Sequence, residues 1–131
     1  MFKKLVLVSL LFVGATTARA QSLKITDVDA DEPRLLNTRS NSMLGKSMAL
    51  TFFDRSVRVQ LPGEKPIVLR KVSDNSYSTV EERGTGSEKL TFTLNTETTL
   101  SVVTSAIYRM MISENKSPYR SATLTITGKR F

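Results

Sequence analysis

Beyond Met48 the chain is built from short runs in which apolar and polar residues alternate. Met48-Ala49-Leu50-Thr51-Phe52, Val57-Arg58-Val59-Gln60-Leu61, Leu90-Thr91-Phe92-Thr93-Leu94 and Ala122-Thr123-Leu124-Thr125-Ile126 all repeat with a period of two. That period marks strands with one buried face and one wetted face. Turn-forming clusters separate the runs: Asp54-Arg55, Pro62-Gly63-Glu64-Lys65-Pro66, Ser73-Asp74-Asn75-Ser76, and the segments 83–88 and 113–118. Alternation broken by such clusters predicts an antiparallel meander, because strands of a parallel sheet are buried on both faces. Residues 23–28 are expected to form a first strand. The polar stretch 29–46, with Pro33 and Gly45, is expected to be a long connection with one short helical turn around Leu35 and Leu36. Residues 99–112 fit two periods: Leu100, Val103, Ile107 and Met110 suit a helix, whereas Leu100, Val102, Ala106, Tyr108, Met110 and Ile112 suit an interrupted strand. Their wealth of Thr, Val and Ile favours the strand, at least for residues 107–112.

Turn lengths predict the register. With Asp54 and Arg55 at a hairpin tip, Phe52 faces Val57, Leu50 faces Val59 and Met48 faces Leu61. A five-residue turn from Pro62 to Pro66 then sets Leu61 against Ile67 and Val59 against Leu69, with Arg58 directly across from Arg70. Continuing through the turn at 73–76 brings Leu69 opposite Val80, and Phe92 beside Val80. One face of the sheet is then continuously apolar. The other carries Thr51, Arg58, Gln60, Arg70, Thr79, Glu81, Thr91 and Thr93.

The first twenty residues stand apart from this pattern. Lys3 and Lys4 precede an apolar run from Leu5 to Val13, and Ala18-Arg19-Ala20 follows as a small-residue cleavage motif. This is the layout of a secretory signal peptide, too short to cross a bilayer as an anchor. Cleavage near Ala20/Gln21 leaves residues 21–131 as a single β domain in the periplasm or the medium. Lys3, Lys4 and Arg19 leave with the leader, so sixteen of the nineteen Lys and Arg residues remain against twelve Asp and Glu, a net +4. The excess favours acidic partners slightly, and no nucleic-acid partner or membrane anchor is expected.

The chain has no histidine and no cysteine. Imidazole bases, thiolate nucleophiles, His/Cys zinc sites and disulfides are therefore excluded. Glu81 and Glu82 are adjacent in a strand and point to opposite faces, so they cannot flank one bond. No enzyme activity, cofactor or metal is expected. Asp27, Asp29 and Asp31 share one side of an extended backbone but fail as an EF-hand loop, with Glu32 at the glycine position and Thr38 where a bidentate glutamate is needed. Gly84-Thr85-Gly86 is only a fragment of a phosphate loop. Arginines facing each other repel unless an anion lies between them, so Arg58 and Arg70, with Tyr77, form a candidate site for a carboxylated, sulfated or phosphorylated ligand. Glu81 is the internal alternative for neutralising them.

A leader followed by about eight short alternating strands carrying Phe52, Tyr77 and Phe92 resembles the lipocalin or calycin group of small exported barrels. The likeness is one of layout over residues 47–127, without the Gly-x-Trp signature or the cysteine bridge. It implies an all-β, antiparallel domain, closed as a small barrel or stacked as a two-sheet sandwich, with at most one short helix. The expected function is noncatalytic binding of a small molecule or acidic glycan, with Phe52 and Phe92 supplying apolar area and Arg58, Arg70 and Tyr77 supplying polar contacts. The alternative is a protein-interaction, structural or adhesion module, including a protease-inhibitor-like one, that grips another extracytoplasmic protein.

Overall fold

A computed structural model of the protein describes residues 18–31, 42–83, 88–114 and 120–130. Eight strands follow one another: β1 (Arg19–Ala30), β2 (Ser47–Phe52), β3 (Ser56–Gln60), β4 (Ile67–Ser73), β5 (Ser76–Arg83), β6 (Glu88–Thr99), β7 (Val102–Glu114) and β8 (Arg120–Lys129). Each pairs antiparallel with its sequence neighbours, and β8 returns to β1, closing a barrel. Between barrel and sandwich, the chain forms the barrel. No helix occurs among the described residues, and the helical turn expected around Leu35 and Leu36 lies outside them.

The first hairpin obeys the hydrophobic pattern. Leu50 pairs with Val59 and Phe52 with Val57, as the alternation predicts, and Asp54-Arg55 is the tip, closed by the Phe53 amide donating to the Ser56 carbonyl at 2.9 Å. The next hairpin is displaced by two residues. Val59 pairs with Ile67 and Val57 with Leu69, where the sequence predicted Leu61 with Ile67. The turn is longer than expected: the Leu61 carbonyl accepts the Glu64 amide at 3.1 Å, which takes Leu61 out of the ladder and into the turn. A two-residue slip preserves sidedness, so Val57, Val59 and Leu69 all remain buried.

Between β4 and β5 the sidedness itself changes. Arg70 pairs with Ser78 and Lys71 with Tyr77, but Ser73 pairs with Ser76, a register shift that marks a bulge at Val72. One extra residue on β4 reverses which face of β5 points inward. Tyr77 therefore enters the core at 6% exposure, while Val80, expected on the apolar face, is 49% exposed. Thr79, not Val80, pairs with Phe92, and Glu81 pairs with the buried Leu90, so Thr79 and Glu81 belong to the inner register and not to the outer polar face.

Residues 102–114 are strand, as their Thr, Val and Ile content favours. Leu100 and Ser101 form the turn between β6 and β7, both at positive φ (53° and 65°). Two successive left-handed residues make a primed hairpin turn, whose preferred occupants are Asn and Gly. An ordinary L-residue held there costs roughly 1–2 kcal/mol. In β1, Leu23 and Ile25 are buried, and a bulge between Ile25 and Asp27 turns Val28 and Ala30 toward the core. Gly128 of β8 lies against this part of β1, and a Cβ placed on it would sit 3.1 Å from the Leu23 Cβ.

The meander order divides the barrel into two ends. At the hairpin end lie the start of β1, the turns at 53–55, 74–75 and 100–101, and the end of β8. At the other end, Met43 reaches the core from a turn pinned to β1 by the Ile25 amide on the Lys46 carbonyl (2.8 Å) and the Gly45 amide on the Ile25 carbonyl (2.9 Å).

Candidate functional site

The inward positions are occupied by side chains. Leu23, Ile25, Met48, Leu50, Val57, Val59, Leu69, Leu94 and Ile126 are all less than 2% exposed. A barrel of eight strands has an interior just wide enough for such side chains to fill. Two ring pairs extend the packing toward the ends: Phe52 with Tyr77 at 6.0 Å between centroids, and Phe92 with Tyr108 at 6.4 Å. Both spacings fall in the range where tilted aromatic pairs attract. Gln21 adds a polar brace, its amide nitrogen donating to the Val103 carbonyl and its amide oxygen accepting from the Val103 N–H at 3.2 Å.

Burial sets the chemistry of the two tyrosines. Desolvation raises the Tyr108 phenol well above its ordinary value, with Glu64 and Glu81 adding to the shift. Tyr77 is raised for the same first reason, with Arg19 opposing and Asp74 reinforcing. Neither phenol is thereby made a base or nucleophile near neutral pH. The folded barrel retains these protons at pH values where the unfolded chain loses them. The stability that Tyr108 contributes is thus intact below about pH 10, the ordinary tyrosine value, and declines above it by up to about 1.4 kcal/mol per pH unit, while Tyr77 acts in the same direction. Tyr108→Phe is expected to flatten that alkaline decline, read as the urea midpoint followed between about pH 9 and 11. An unchanged slope would refute the assignment to Tyr108.

The five residues expected to form one ligand site are divided between two surfaces. Tyr77 and Phe92 are buried inside, and Phe52 packs half-buried against the same core. Arg58 and Arg70 are exposed on the outer register. The arginines are not directly opposite each other, because Arg58 pairs with Val68 and Arg70 with Ser56. They are diagonal neighbours on adjacent strands, a spacing of about 7–8 Å that weakens the expected repulsion. The two-residue slip at β3–β4 separates the arginines, and the bulge at Val72 removes Tyr77 to the inside.

The other candidates also resolve by sidedness. Asp27 and Asp29 are exposed beside Thr127 and Thr125 of β8, and Asp31 accepts the Thr123 amide on its Oδ1 at 2.7 Å. Among the described residues no group of three ligating side chains is placed to hold a metal ion. Glu81 and Glu82 are consecutive in β5 and point to opposite sides, as expected. Gly84 and Gly86 lie outside the described residues.

Sequence reasoning missed the exposed apolar residues. Val68, Val80 and Met111 lie on the outer wall, Phe53, Val72 and Leu100 lie at the hairpin end, and Leu44 lies in the turn at the opposite end. Leu100 is the extreme case, with 92% of its surface in water. One signal was present in the sequence: Thr98-Thr99 and Val102-Val103 flank Leu100-Ser101 symmetrically, as strands flank a two-residue turn.

These features define a closed, eight-stranded antiparallel β-barrel with a core of buried apolar side chains and further apolar residues displayed outside. No family model, curated protein or solved structure matches the chain.

Proposed function

We propose that the protein is an exported, noncatalytic binding module whose partner meets the outside of the barrel. The observation that supports this is the burial of the inward side chains, nine of which are less than 2% exposed, as expected where side chains fill the interior of an eight-stranded barrel. The eight-stranded layout agrees with the lipocalin-like expectation, but a ligand held jointly by Arg58, Arg70, Tyr77 and Phe92 would have to contact both surfaces of one sheet at once. The absence of histidine and cysteine, and the divergence of Glu81 and Glu82, support a noncatalytic role. Export rests on the leader motif of residues 1–20.

Native mass spectrometry of the protein purified from its own compartment tests the proposal. The expected mass is that of the processed polypeptide alone. A small organic molecule retained in stoichiometric amount, and released only on unfolding, would place binding in the lumen and overturn it.

A further inference from the structure

The wall of the barrel is incompletely bonded between β4 and β5. Their ladder has three pairs and ends at Arg70 with Ser78. Beyond it, residues 67–69 pair only with β3 and residues 79–83 pair only with β6. The bulge at Val72 accounts for the divergence, since a bulged strand bends and twists away from its partner. Carried on, the register would oppose Leu69 to Thr79 and Val68 to Val80. Instead, every second residue of 79–83 directs its N–H and C=O across the split without a ladder partner. Val68 (55% exposed) and Val80 flank the split on the outside, and Leu69 stays fully buried behind it.

Two physical requirements define what fits. An open strand edge is satisfied along its length only by another extended backbone, whose donors and acceptors repeat at the same spacing. The opening also has a wall on each side, β4 and β5 of one barrel, so the entering strand must be single. A second copy of this chain fails that requirement, because its β5 arrives bonded to β6 and the rest of a barrel. Charge does not choose the partner: Arg58, Lys65 and Arg70 are exposed on the β4 side, Glu81 and Glu82 on the β5 side, and Lys89 lies across from Glu82. The two valines do choose, because they favour an aliphatic residue on the outer side of a guest strand.

We infer that this part of β5 takes an added strand: a lone, extended segment of a partner protein, bonded through its backbone along residues 79–82, with an aliphatic side chain set between Val68 and Val80. This rests on the reading that the exterior of the barrel does the binding.

The probe is a blocked peptide of alternating valine and threonine with a lysine at each end, and the readout is amide hydrogen exchange resolved by residue. In the free protein, alternate amides of residues 79–83 are expected to exchange fast, while those bonded to β6 are protected. The peptide is expected to slow the fast set, with little dependence on salt because both signs of charge border the split. The same peptide methylated at every backbone nitrogen is expected to leave them fast. Val80→Asp keeps the fold, since Val80 is half in water, and is expected to weaken the peptide about tenfold, the scale of one lost aliphatic contact. Uniform protection of residues 79–83 in the free protein, no slowing by the peptide, or equal slowing by the methylated peptide or in Val80→Asp overturns the inference. Protection that rises with protein concentration in the absence of peptide also overturns it, and assigns the edge to a second copy. Each of these results leaves exterior binding standing, since that fails on a different observation, a molecule lodged in the lumen.

Discussion

Leu50→Ala is expected to destabilise the barrel by about 2–5 kcal/mol, the range found when a fully buried leucine is truncated in a core that cannot collapse around the gap. Leu50 has no exposed surface, sits between strands paired on both sides and faces Val59 across the first hairpin. Each neighbour is fixed by its own ladder, so little relaxation is available. The void should be lined by hydrocarbon and remain dry, and dry apolar voids of this kind accept benzene. Benzene is therefore expected to raise the thermal midpoint of Leu50→Ala and to leave that of the unmodified protein unchanged. A response in the unmodified protein would mean that the lumen already has room, which the packing does not allow.

Gly128→Val is expected to cost about 2 kcal/mol or more, because overpacking a fitted site forces backbone or rotamers from their minima. The nearest atom to a Cβ at this position is the Leu23 Cβ, at 3.1 Å, with the Met48 Cε at 3.5 Å. The first cannot yield without moving β1. The second belongs to the end of a flexible side chain, so Gly128→Ala should be milder than the valine variant. Gly128 pairs with Ile25 on one side and Ala106 on the other, immediately beside the β1 bulge. Urea unfolding measures the difference, and a valine variant as stable as the parent would show that β1 can shift freely at the bulge.

The sequence made the architecture legible because hydrophobic alternation reports directly on a sheet with one dry side. Leu50 with Val59 and Phe52 with Val57 were readable since two polar residues, Asp54 and Arg55, leave one way to align the flanking runs. Periodicity cannot see a bulge. Lys71-Val72-Ser73 contains no glycine or proline to announce one, and β5 offers Val80 as its only aliphatic residue, so counting apolar positions selects the wrong face. Tyr77 held the information, for an aromatic ring fits opposite Leu94 and beside Phe52. The placement of the candidate residues on one face was lost for the same reason: the arginines and aromatics were aligned through two turns, one of which shifted register and one of which reversed sidedness. Leu100 was visible as an apolar residue, and its exposure follows from where β6 ends and β7 begins, which the flanking Thr98-Thr99 and Val102-Val103 mark but the two competing periods of residues 99–112 obscure.

The pairing of β8 with β1 joins residues about a hundred positions apart, Lys24 with Lys129 and Asp29 with Thr125. This seam can form only after the last strand is available, so every shorter nascent or truncated product presents two raw sheet margins at once. Unpaired margins of that kind recruit other chains, and pairings so distant in sequence form slowly. Assembly of this barrel is therefore decided at its final step: a chain lacking residues 120–129 should be not a weaker barrel but an adhesive open sheet.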